Sequence, residues 1–192
     1  MSALTEILIL LVQLVFGTLM LIVALRIALP LSTTRFSNPI CQFVYKFTNP
    51  VIGPLMRVLP PYRKLSLAAV FVAWLILIAE IATIALIVGL PIDPVRLLTD
   101  GFIGLLFYLL TGAFWLIVIF ALMSFFSPAH GNPAVEVVYG ITDPILRPFY
   151  RIPPHSWPVS LAPLYAGLAI RIAMIFVGKL ASALGAFALP LV

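Results

Sequence analysis

Four blocks of the chain are apolar almost without interruption, at about 7–29, 65–90, 102–126 and 160–178. Each reaches or approaches the roughly 20 residues that a helix needs to cross the hydrocarbon layer. Few polar groups interrupt them. Gln13 and Arg26 fall in the first block, Glu80 in the second and Arg171 in the fourth, with Lys179 at its far end. The third block carries no charge, and an apolar tail follows at 180–192. The pattern predicts an all-α, polytopic membrane protein with four transmembrane helices.

The stretches between the blocks repeat. Asn38-Pro39 recurs as Asn132-Pro133, and Val44-Tyr45 as Val138-Tyr139. Thr48-Asn49-Pro50 recurs as Thr142-Asp143-Pro144. Pro54, Arg57 and Pro60 recur as Pro148, Arg151 and Pro154, and Ser66-Leu67-Ala68 as Ser160-Leu161-Ala162. Every pair is 94 residues apart, without a gap. The chain therefore reads as two copies of one unit, 1–94 and 95–192, each made of a span, a polar segment and a span. Two spans separate equivalent points, so the copies are expected to run parallel. That differs from the inverted repeats of many secondary transporters.

Each repeated segment has the marks of a short helix. Asn at the N-cap followed by Pro is a helix start, at Asn38-Pro39 and again at Asn132-Pro133. Ile40, Phe43, Val44 and Phe47 then fall on one helical face, as do Ala134, Val137, Val138 and Ile141. Gln42 and Lys46, or Glu136, occupy the other side. Such an amphipathic helix suits the membrane interface. A second start is expected at Asn49-Pro50 and Asp143-Pro144, with Asn49 and Asp143 as caps. Pro54 and Pro148 remove a backbone donor one turn later, so this second piece should be short or broken. Tyr45, Tyr139 and Trp157 fit an aromatic belt.

Composition sharpens this. Of 192 residues, 64% are hydrophobic and 9% charged, where soluble domains carry about 25% charged residues. A free cytosolic enzyme and a disordered regulator are excluded. The single cysteine, Cys41, excludes a disulfide framework and reads as a small apolar packing residue. The net charge of +5 reads as membrane orientation and contact with anionic headgroups, with no nucleic acid implied. Arg26, Arg35, Lys46, Arg57, Arg63 and Lys64 mark the first polar segment, and Arg147 and Arg151 the second. The loop 91–101 holds only Arg96 against Asp93 and Asp100. The positive-inside rule then places both long segments in the cytoplasm and both termini outside. Glu6, and the lack of a basic residue ahead of the first block, favour a retained span over a cleaved signal peptide.

The doubled motif Asn-Pro, then Thr-(Asn/Asp)-Pro-x-x-x-Pro-x-x-Arg-x-x-Pro, each time ahead of a span, resembles the YggT family of bacterial and plastid membrane proteins. The strongest stretch is Thr142-Asp143-Pro144-Ile145-Leu146-Arg147-Pro148. The chain departs from the family where Val159 precedes Ser160, since relatives often hold an Asp there. The resemblance implies a bacterial inner-membrane location. It also implies an association with cofactor assembly, division or osmotic stress, without a biochemical activity to assign to residues.

Chemistry, if any, should sit at the buried charges. Glu80 and Arg171 lie inside spans, where an unpaired charge costs several kcal/mol or more. Measured from Ser66 and Ser160, their depths differ by roughly 4.5 Å, and a two-fold axis between the second and fourth spans would bring them together. The expectation is a buried Glu80–Arg171 ion pair. It would serve either as part of an ion or proton path or as a structural lock between repeats. The small residues Ser66, Ala69, Ala73, Gly167 and Gly178 on the same faces favour the lock. Arg57 and Arg151 are candidates for anionic lipid or a partner protein. His130 and His155 lack a ligand set for haem or metal, and no cofactor is implied. No phosphate-binding loop, hydrolase triad or zincin motif occurs. The functional expectation is a non-enzymatic scaffold or assembly factor with a membrane-protein partner, and homo-oligomers are plausible for four spans. The alternative is a channel or transporter component in ion or osmotic balance.

Overall fold

The computed structural model describes residues 3–125, 131–151 and 161–184. They form six α-helices: α1 (Ala3–Ala28), α2 (Pro39–Leu55), α3 (Leu67–Val88), α4 (Pro94–Phe125), α5 (Pro133–Leu146) and α6 (Ala162–Ala183). Single 3₁₀ turns follow α1 and α5, at Leu29–Leu31 and Phe149–Arg151. Four helices, α1, α3, α4 and α6, are long and apolar enough to cross a membrane. Ser160, Val159, Pro154, His130, His155 and Trp157 lie outside the described residues.

The ends of these helices are set locally. Glu6 in the first turn of α1 and Arg26 in its last both complement the helix dipole. Ser66 caps α3 by accepting from the backbone N–H of Ala69. Gly89 ends α3 at φ 76°, a left-handed cap that glycine takes without strain. The next helix starts earlier than the hydropathy suggests. Asp93 accepts from Val95 N–H at 3.0 Å and Pro94 fills the first turn, so α4 runs from Pro94, and the connection from α3 shrinks to residues 89–93.

The segments after Asn38 and Asn132 also differ from expectation. Each is one helix, and the second start does not occur. α2 continues through Pro50 and Pro54, and α5 through Pro144. Asn49 and Asp143 are therefore mid-helix residues rather than caps. A proline inside a helix orphans the carbonyl four residues earlier. For Pro50 and Pro54 those carbonyls belong to Lys46 and Pro50, both on the exposed side of α2, where solvent or headgroups can satisfy them.

Helix contacts are made mainly within each repeat. α1 lies on α3, with Met20, Val23 and Ile27 against Ala68, Ala69, Ala73 and Leu77, and Ile52 of α2 closes the cluster. α4 lies on α6 in the same manner, with Ile117 against Ala162 and Ala166, and Leu146 of α5 closing it. Val23 and Ile117, Ile52 and Leu146, and Ala68 and Ala162 are repeat equivalents, so one packing recipe is used twice. Alanines at these contacts let the backbones approach closely, which is how helices hold together where lipid is as apolar as leucine. The repeats join chiefly through α3 and α4 and through α2 and α5.

Candidate functional site

The repeat-to-repeat junction at the α2 and α5 end gathers most of the polar contacts. Asn38 is buried. Its Oδ1 accepts from Ile40 N–H at 2.9 Å, capping α2. Its Nδ2 donates to the carbonyl of Pro133 and to Glu136 Oε2, both at 2.9 Å. Arg35 N–H reaches Glu136 Oε1 at 3.5 Å. The connecting segment ahead of Asn38 is pinned to α5 as well, because Thr33 N–H donates to the Gly140 carbonyl at 3.1 Å. Gly140 has no room for a side chain. A Cβ there would overlap Thr34 Oγ1 and stand 3.0 Å from the Thr34 nitrogen.

Below this clasp, Leu29, Cys41 and Val44 pack on Val137 and Ile141. Burial there pushes the Cys41 thiol above its ordinary value, and the Glu136 carboxylate adds to the push. Each repeat also covers one tyrosine. Arg26 places its guanidinium carbon 3.7 Å from the Tyr45 ring centre, and Phe120 meets Tyr139 at 4.7 Å.

A cleft of about 390 Å³ opens beside the clasp, lined by Thr33, Thr34, Phe120, Glu136, Tyr139, Gly140, Asp143 and Tyr150. Asp143 binds Arg147 through both Nε and Nη2, at 3.1 and 3.0 Å. The Tyr150 hydroxyl is shifted upward, first by burial, then by Asp143 and Tyr139. The lining is acidic and aromatic. The equivalent positions of the first repeat (Arg26, Gln42, Lys46, Asn49) carry no acid at all, so the repeats have opposite charge at one place.

Glu80 and Arg171 are not brought together. Among the described residues the ion pairs are Asp93–Arg96 and Asp143–Arg147. The two-fold axis assumed from the sequence would join α3 to α6, but each of these helices packs on α4 instead. Arg171 stands over the Phe114 ring at 5.0 Å. Glu80 is buried on the α3 face turned toward Tyr108, whose hydroxyl donates to the Gly17 carbonyl at 3.4 Å.

The profile of the CCB3/YggT family matches the chain twice, over residues 5–87 and 99–181. The chain belongs to the CCB3/YggT family. Both ends of the second match lie 94 residues after those of the first, the offset of the internal repeat. The chain is 31% identical to YggT of Escherichia coli K12 over 173 residues, covering 88% of each. It is 30% identical over 169 residues to a Pseudomonas aeruginosa protein, covering 86% of each. A Vibrio alginolyticus relative is 30% identical over 174 residues, covering 88% of this chain and 92% of its own. All three are described only as uncharacterized. No solved structure matches.

The repeated motif of this CCB3/YggT chain consists mostly of residues that shape its helices. Asn132 caps α5 through Ala134 N–H at 2.9 Å. Pro39 and Pro133 occupy the first turns. Thr48 and Thr142, both buried, donate to the carbonyls of Val44 and Val138 at 2.7 and 2.6 Å. Arg57 is exposed just past α2, with its N–H on the Pro54 carbonyl at 3.2 Å. Pro148 is exposed after α5, and Arg151 ends the second 3₁₀ turn. Sequence reasoning noticed Glu136, Tyr139 and Arg26 without assigning them to a junction. The readable signal was departure from the repeat: Glu136 for Gln42, Phe120 for Arg26, Gly140 for Lys46.

Proposed function

We propose that this CCB3/YggT protein is a non-enzymatic membrane scaffold that assists assembly or stress responses by holding a partner protein at the face bearing α2 and α5. One observation carries the reading. The side chains that distinguish the motif are occupied in capping α2 and α5 and in clasping one repeat to the other, which builds a surface rather than a reaction centre. We place that face in the cytoplasm, on the positive-inside rule, with both termini across a bacterial inner membrane. α2 lies in the interface there. It buries Cys41, Val44 and Ile52 against the rest of the chain, while Val51 stays exposed for lipid and Phe43 and Phe47 are exposed in the single chain. Arg57 and Arg151 meet anionic headgroups or the partner.

The test is in-membrane cross-linking followed by identification of partners, repeated with Arg57→Ala and Arg151→Ala together. A defined partner that is lost in the double variant supports the scaffold. A second reading, an ion or proton pathway, is favoured by Glu80, a buried carboxylate with no hydrogen bond or ion pair among the described residues. Purified protein in liposomes that carries ions, and ceases to with Glu80→Gln, would replace the scaffold with that pathway.

A further inference from the structure

The two repeats of one chain meet through unlike faces, and this leaves one copy of each face unused. At the junction, α4 of the second repeat meets α3 of the first. The Trp74 indole donates to the Leu98 carbonyl at 3.4 Å, and Gly101 lies so close to Ile78 that a Cβ would stand 2.7 Å from its Cγ1. Shifted by one repeat, the α4 positions Leu98 and Gly101 become Leu4 and Ile7 on α1, which are 70% and 55% exposed. The α3 positions Trp74 and Ile78 become Leu168 and Ile172 on α6, which are 59% and 46% exposed.

The shorter helices tell the same story independently. Val137 and Ile141 of α5 are buried on Cys41 and Val44 of α2. Their equivalents on α2, Phe43 and Phe47, are exposed. The equivalents of Cys41 and Val44 on α5 are Val135 and Val138, only half-buried. The polar contact has a vacant counterpart too. Asn38 donates to Glu136 across the junction, while the amide nitrogen of the equivalent Asn132 has no acceptor among the described residues. The position equivalent to Glu136 is Gln42, whose Nε2 is turned to the Ser37 carbonyl at 3.5 Å, leaving its carbonyl oxygen to accept.

Both layers point the same way. A two-fold junction would have used both pairs of faces at once. A junction of unlike faces continues from molecule to molecule until it closes. We propose that a second copy of this chain fills the open faces, with α1 and α2 of one copy against α6 and α5 of the other, reusing the contact that already joins the repeats. Two chains, presenting four repeats, form the smallest closed assembly. The side chains fit this exchange. The inner junction pairs a large residue with a small one, Trp74 with Gly101, where the outer one pairs two of middle size, Leu168 with Ile7. The proposal is independent of whether the protein acts as scaffold or pathway.

Disulfide cross-linking in native membranes tests it. Chains carrying Ile7→Cys and chains carrying Ile172→Cys, both with Cys41→Ala, are co-expressed with different tags and oxidised. The expected product is a linked pair containing one chain of each kind, and the same result is expected for Leu4→Cys with Leu168→Cys. Linkage between two Ile7→Cys chains, or closure of a doubly substituted chain on itself, would overturn the proposal. The unsubstituted protein, moved from membranes into lipid nanodiscs, is expected at twice the chain mass. A single-chain mass there, or a single chain bound to a different protein, would overturn it as well.

Discussion

Arg26 holds its guanidinium carbon 3.7 Å from the Tyr45 ring centre, and the equivalent residues of the second repeat, Phe120 and Tyr139, meet at 4.7 Å. The same tyrosine is thus covered by a cation in one repeat and by an aromatic ring in the other. A desolvated cation–π contact is worth about 2 kcal/mol, and the arginine stem adds packing. Arg26→Ala is therefore expected to destabilise the protein by about 2 kcal/mol. Arg26→Phe, which installs the second repeat's solution, should recover more than half of that loss. Thermal denaturation in detergent reads both. Equal losses for the two variants would show that the positive charge, rather than cover of the ring, matters at this position.

Two helical glycines are expected to respond in opposite directions. A methyl at Gly140 collides with Thr34, and its neighbours are backbone as well as side chain. Gly140→Ala should cost about 1–3 kcal/mol, as overpacking does, and should loosen the clasp between repeats. Gly178, in α6, has nothing within 4 Å of the position its Cβ would take and is not followed by a proline. Gly178→Ala should stabilise by roughly 0.5–1 kcal/mol, the ordinary helix preference. Denaturation midpoints of the two variants against the unsubstituted protein decide the matter.

Cys41 supplies a pH test. Burial raises its thiol, and Glu136 raises it further. The thiolate is the nucleophile, so alkylation of the native protein should lag behind the unfolded chain at mildly alkaline pH. Its rate profile should be displaced to higher pH. Glu136→Gln should move that profile back toward lower pH. The sign for stability follows from linkage. A group whose pKa is higher in the folded state contributes its full stability below the unfolded pKa and loses it as pH rises through the folded one. The Cys41 contribution should therefore fade at alkaline pH and vanish in Cys41→Ala. Alkylation rates across pH, with a denatured control, measure the shift.

The four spans and the repeat were legible because both are written in local pattern: apolar length for the one, fixed spacing for the other. Helix starts with a capping residue and a following proline, Asn38-Pro39 and Asn132-Pro133, were equally plain. What misled was treating every such pair as a start. Asn49-Pro50 has the same letters, but Ile52 and Thr48 of α2 are held in the core, and that packing carries the helix through its prolines. The junction was illegible for a different reason. Spacing shows that two repeats exist, but not whether they meet through like or unlike faces. The expected pairing of Glu80 with Arg171 depended wholly on that choice.

That pair yields the sharpest energetic contrast between the two geometries. Glu80 and Arg171 stand where the other repeat has Met174 and Leu77, so each can be exchanged for a residue its equivalent site already accommodates. Had they formed a buried ion pair, removing either alone would cost about 3–5 kcal/mol and removing both far less. With α4 between them, the substitutions should act independently. Glu80→Met exchanges a carboxylate inside an apolar helix, with no hydrogen bond among the described residues, for the apolar side chain of the equivalent position, and should stabilise the protein by about 1 kcal/mol. Arg171→Leu gives up the contact with Phe114 and should destabilise it mildly. The double variant should equal the sum of the two within about 0.5 kcal/mol. A coupling of several kcal/mol in denaturation experiments would restore the ion pair, and with it a close packing of α3 on α6 in place of their separate packing on α4.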